Sequence, residues 1–197
     1  MRNLEPRGWI AAVAVALLAL TPTELAHSQA SQSKPSAPVS PGQALPKFIG
    51  VSGCAKCHSS DATGKQVQTW QASPHAQAYK TLGTDAAQKI AAARGVKDPQ
   101  APGPCLRCHT TGAGIPKGRF AADFQVADGV QCESCHGPGE FYSKIEHMIV
   151  NAKAHEMGLI DPSPAVCTHC HNPESPTFKG FDFKTAVKKI QHRLASY

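Results

Sequence analysis

The chain has no cysteine before Cys54, no basic run, few aromatics and no apolar segment long enough to cross a bilayer. Each absence excludes something. Without an early cysteine, a lipid-modified N-terminal cysteine is not expected. The longest apolar run, residues 9–20, is well short of the roughly 20 residues a membrane-spanning helix needs. Its 20 Lys and Arg against 14 Asp and Glu give +6, but the charge is spread out with no aromatic platform beside it, which argues against nucleic acid. Aromatics are 6% of the residues, and 16 glycines and 16 prolines break up the rest, so the side chains alone make a poor core. Another apolar group is needed to fill the interior.

What is present begins with a secretory leader. Arg2 and Arg7 precede the apolar run, and Ser28 and Ala30 stand before Ser31 as a small-residue cleavage site. Residues 1–30 therefore read as a signal peptide cleaved near Ala30, and the mature protein is expected in the periplasm. The competing reading is an uncleaved anchor. Residues 31–47, rich in Ser, Pro, Gln and Ala, read as a disordered linker, and residues 48–197 as one domain.

All eight cysteines fall into four copies of Cys-x-x-Cys-His: Cys54, Cys57 and His58; Cys105, Cys108 and His109; Cys132, Cys135 and His136; Cys167, Cys170 and His171. Two cysteines three apart on one turn reach the two vinyl groups of a porphyrin edge and form thioethers, and the histidine that follows is the proximal iron ligand. Disulfides or tetrathiolate zinc sites would account for the cysteines but not for a histidine after every pair. Four covalently bound haem c groups are the expected cofactors. First cysteines lie 51, 27 and 35 residues apart and the flanks differ, so the chain is no solenoid repeat and each haem has its own surroundings. The propionates remove roughly one unit of positive charge per ferric haem, so the apoprotein charge says little about partners. The expected fold is mainly α, a small multihaem cytochrome with long loops, haems forming the core and little or no sheet.

Five histidines remain for the distal side: His75, His147, His155, His169 and His192. His75 follows Ser73 and Pro74, a helix-opening pair. A helix over 140–157, ended by Gly158, carries an apolar stripe of Phe141, Ile145, Met148 and Ala152, with His155 on it and His147 about 120° away from Phe141. His155 has two readings, a distal ligand or a hydrogen-bonded core histidine. A last helix over 183–194 puts His192 opposite its apolar face. His169, inside a thioether loop, is either a group behind the haem or a surface residue. Met148 and Met157 are candidate ligands or core.

Three stretches resemble the cytochrome c-554 family of tetrahaem electron carriers: Gly53-Cys54-Ala55-Lys56-Cys57-His58, Trp70 five residues before His75, and residues 129–139 around the third motif, with a closing helix bearing His192. The third is the most specific. The resemblance implies three haems with two histidine ligands each and one five-coordinate haem, the second. It implies His147 as partner of His58, His192 of His136 and His75 of His171, with the position opposite His109 open. It departs at His155, which matches no family ligand and would close that position if it reached the iron.

The leading functional reading is an electron carrier between periplasmic redox proteins, donor and acceptor unidentified, with docking to a membrane-bound redox complex as a related role. The alternative is a small reductase of nitric oxide or a related nitrogen compound at an open haem beside His109. No attachment motif has Lys in place of its His, and no acid-base constellation is evident.

Overall fold

The computed structural model describes residues 44–192, which form short helices joined by turns and long loops; the expected leader and the first part of the linker lie outside the described residues. The helices are α1 (Gly50–His58), α2 (Gln66–Gln71), α3 (Ala78–Thr81), α4 (Asp85–Ala93), α5 (Leu106–His109), α6 (Glu133–His136), α7 (Ile145–Met148), α8 (Asn151–Glu156), α9 (Pro164–Thr168) and α10 (Phe183–Ile190). No sheet forms among the described residues. The one β-bridge there is isolated and joins Phe48 to Phe120, whose rings stack with centroids 5.4 Å apart. No helix among them is long and apolar enough to cross a membrane.

Local sequence explains several helix starts. Thr84 accepts a hydrogen bond from Ala87 N–H, Ser163 from Val166 N–H ahead of Pro164, and Asp182 from Thr185 N–H. The helix start at Ser73 and Pro74 is a 3₁₀ turn, Pro74–Gln77, before α3 begins. Ser73 does not cap it with its side chain; its hydroxyl donates to Trp70 O at 2.7 Å.

Two expected helices are shorter than their patterns. The segment 140–157 is not one helix: the backbone opens to φ −118°, ψ 100° at Val150, leaving α7 and α8 on either side. Val150, with the neighbouring Ile149, is β-branched, and this residue type loses rotamer freedom in a helix. α10 stops at Ile190 because Gln191 is extended, φ −62° and ψ 124°. His192 therefore lies beyond the helix that was to carry it.

The polypeptide core is small. Val51, Val67, Leu82, Leu106 and Tyr142 are among its few buried side chains, while Ile145, Ile149 and Val150 are more than half exposed. Apolar side chains left uncovered on a chain with so little core fit a fold that packs around another apolar group.

Candidate functional site

Each Cys-x-x-Cys-His segment is a single turn or the end of a longer helix. The first closes α1; Cys105 and Cys132 stand immediately before α5 and α6; Cys167 lies in α9, and His171 N–H continues the turn by donating to Cys167 O at 2.9 Å. This places two sulfurs and the following imidazole on one short arc, as attachment to one porphyrin edge requires. All eight cysteines are free of disulfides, and no group of three or more metal-binding side chains is arranged around a common point among the described residues.

Sulfurs of different motifs meet. Cys54 lies beside Cys132, and this closeness together with burial pushes the Cys54 thiol well up. Burial pushes Cys170 up to about 12, with Cys108 beside it adding to the effect, and Cys135 to about 11, with Cys167 and Cys132 nearby. The first motif therefore adjoins the third, the third the fourth, and the fourth the second.

The histidines are held in ligating form. His109 Nδ1 lies 2.8 Å from Ala78 O, His136 Nδ1 3.0 Å from Ile160 O and His147 Nδ1 2.6 Å from Phe141 O. A carbonyl accepts from an Nδ1–H, which leaves Nε2 with the free lone pair. Burial holds His75 below the ordinary imidazole range, with His171 adding to it, and burial likewise lowers His136. Both stay neutral, the form that binds metal. His58 differs: its Nδ1 is buried with no hydrogen-bond partner among the described residues.

Two histidine pairs stand close together. The rings of His75 and His171 have centroids 6.1 Å apart, and those of His136 and His192 5.9 Å apart. Metal–imidazole bonds are about 2 Å each, so such a gap accommodates one metal atom between two rings. Gly53, Cys54, Cys57, His58, Ile145 and Met148 line a cleft at the first motif, so α7, which carries His147, forms one of its walls. The donor set, the gaps between rings and the apolar cleft fit haem.

His155 is turned elsewhere. Its Nδ1 lies 3.0 Å from Leu159 O and its Nε2 3.6 Å from Asp161, so both ring nitrogens face groups near its own helix. Among the described residues no second ring stands opposite His109. His169 is exposed, and Met157 is half-buried at the end of α8.

The third motif carries contacts that sequence reasoning did not foresee. Glu133 is 3% exposed, and its carboxylate accepts from Ile49 N–H and Gly50 N–H at 2.8 Å each and from Gly139 N–H at 2.6 Å. Burial pushes its carboxyl above the ordinary range, and the three N–H donors oppose that. Gln131, 1% exposed, accepts from Val51 N–H at 2.9 Å. Two side chains flanking Cys132 therefore hold the N-terminus of α1, the helix bearing the first motif. Thr111, two residues past His109, shares a hydrogen bond with Ser134 at 2.7 Å and accepts from Gln131 N–H at 2.7 Å. Trp70 Nε1–H donates to Val130 O at 2.7 Å, and Val130 N–H to His75 O at 3.1 Å.

The same stretch is where known proteins match. Residues 53–137 match the family of cytochrome c554 and c-prime. Over this stretch, which is less than half of its length, the chain resembles the cytochrome c-554 family. A curated relative, cytochrome c-554 of Nitrosomonas europaea, is 34% identical over 97 residues, which cover 47% of this chain and 39% of that protein. The chain thus matches about two fifths of the relative's length. No solved structure matches it. The family match ends at Gly137, so the fourth motif, Cys167 to His171, stands on its own sequence and on its contacts with the other three.

Proposed function

We propose that the protein is a periplasmic tetrahaem electron carrier, with haem c attached at every motif and His58, His109, His136 and His171 as proximal ligands. The observation that carries this reading is the pairing of His75 with His171 and of His136 with His192 across gaps of 6.1 and 5.9 Å. Each haem, when bound, takes up and releases one electron at its iron. The chain's part is to hold imidazoles on both sides, so that little rearrangement accompanies the change of charge. Carbonyls fix the rings of His109, His136 and His147, and the closeness of Cys54 to Cys132 and of Cys108 to Cys170 sets neighbouring motifs side by side. His147, on a wall of the first cleft, is the distal ligand proposed for the haem at His58. Redox proteins of the periplasm, or a membrane-bound redox complex, are the partners.

A second reading rests on His155. Its nitrogens face Leu159 and Asp161 rather than His109, and an open position opposite His109 would suit binding or reduction of nitric oxide or a related small nitrogen compound. The mass of the intact purified protein tests attachment: four haems and no alkylatable thiol are expected, and fewer haems or free thiols would refute it. A redox titration followed by magnetic spectra then separates the readings. One high-spin ferric haem, lost in His109→Ala, supports the open site, and an entirely low-spin protein excludes it.

A further inference from the structure

We propose that Glu133 sets the reduction potential of the haems attached at Cys54 and Cys132, holding that pair below the haems at Cys108 and Cys170. The inference rests on the attachment of haem at every motif. Glu133 is the one acidic side chain buried among the described residues, and no cation pairs with it there. Its three partners, Ile49, Gly50 and Gly139, are all backbone N–H donors. A carboxylate accepts from all three, whereas a protonated carboxyl would present an O–H to a set that offers no acceptor, so the donor set favours the ionised form against the burial that opposes it.

Position gives this charge its leverage. Glu133 follows Cys132 within the third motif, and its carboxylate sits at the N-terminus of the helix that ends in the first. Cys54 and Cys132, whose thiols are neighbours, both lie within reach of its charge. Away from water a fixed negative charge acts strongly on a neighbour gaining an electron, so reduction beside it is disfavoured. The second and fourth motifs have no such group. Their charged residues, Arg107 and Glu174, pair with each other and are more than half exposed, where solvent and salt screen them.

The test is an optical redox titration of the full-length holoprotein as wild type, Glu133→Gln and Glu133→Asp. Glu133→Gln keeps the shape and loses the charge. It should retain the wild-type haem count and spin states while the two lowest-potential haems become easier to reduce. The lower of them should gain about tenfold in its reduction constant, which is about 59 mV for one electron. Glu133→Asp keeps the charge and should stay nearer wild type. A purely structural anchor predicts the reverse order, so Asp shifting more than Gln, or neither shifting, would overturn the proposal. If Glu133→Gln does not mature, infrared difference spectra of wild type with isotopically labelled glutamate decide. An ionised carboxylate band that moves on haem reduction supports the proposal; a buried carboxylic acid band, or no glutamate signal, overturns it. A wild-type mass short of four haems would refute attachment instead, and is read before any titration.

Discussion

The third and fourth attachment motifs share a chemistry but not a way of being held. Around the third, Gln131 and Glu133 are buried and bind the backbone of α1, Ser134 meets Thr111, and Val130 meets Trp70 and His75. The fourth is largely exposed. Apart from its sulfur contacts, it is tied to the second through the exposed pair of Arg107 with Glu174 and a weak contact of Cys170 Sγ with Arg107 O at 3.9 Å. One stretch of chain thus positions the first motif, the loop after the second and His75, while the fourth motif is an outlying member. Attachment requires only the five-residue pattern; placing several haems relative to one another requires side chains that reach across the sequence.

Substitutions on the two sides should therefore differ in size. The largest effect is expected from Glu133→Ala, which leaves three N–H groups, two of them buried and one part-buried, without an acceptor at roughly 1 kcal/mol or more each. Denaturant unfolding of the holoprotein should show a loss of about 3 kcal/mol or more, with a low yield of mature protein. Gly129→Ala comes next. Gly129 has φ +74°, and an added Cβ would stand 2.7 Å from His75 O. Backbone strain of about 1–2 kcal/mol and an overlap of similar size should destabilise the protein and displace His75, read as new high-spin haem in the optical spectrum. Thr111→Val removes the acceptor for Gln131 N–H and the Ser134 partner, and should cost about 1–3 kcal/mol with haem spectra unchanged. Arg107→Ala, on the fourth motif's side, should cost no more than about 1 kcal/mol because its ion pair is exposed. If it proves as damaging as Glu133→Ala, the contrast between the two motifs fails.

The helical class and the family resemblance were legible in the sequence because each is a local pattern, as are the four Cys-x-x-Cys-His motifs themselves. The third motif was singled out as the most specific family mark, and the structure supplies a physical reason. Its flanking residues bind α1 from 80 and 83 positions away, a relation that no periodicity reveals. The distal histidines were harder to read for a different reason. Helical phase put His192 on a solvent face, but α10 ends at Ile190, and the extended Gln191 carries His192 to 5.9 Å from His136. Phase also favoured His155 over His147 on a single long helix, whereas the break at Val150 separates the two and leaves both half-buried. A periodicity argument holds only as far as the helix runs.

The neighbouring imidazoles are the centre of the account, and the spin state of His75→Ala and His192→Ala beside wild type tests them most directly. Electron paramagnetic resonance of the oxidised proteins should show one low-spin haem fewer and one high-spin haem more in each variant, with the haem count unchanged. Unchanged spectra in both would contradict the pairing of His75 with His171 and of His192 with His136.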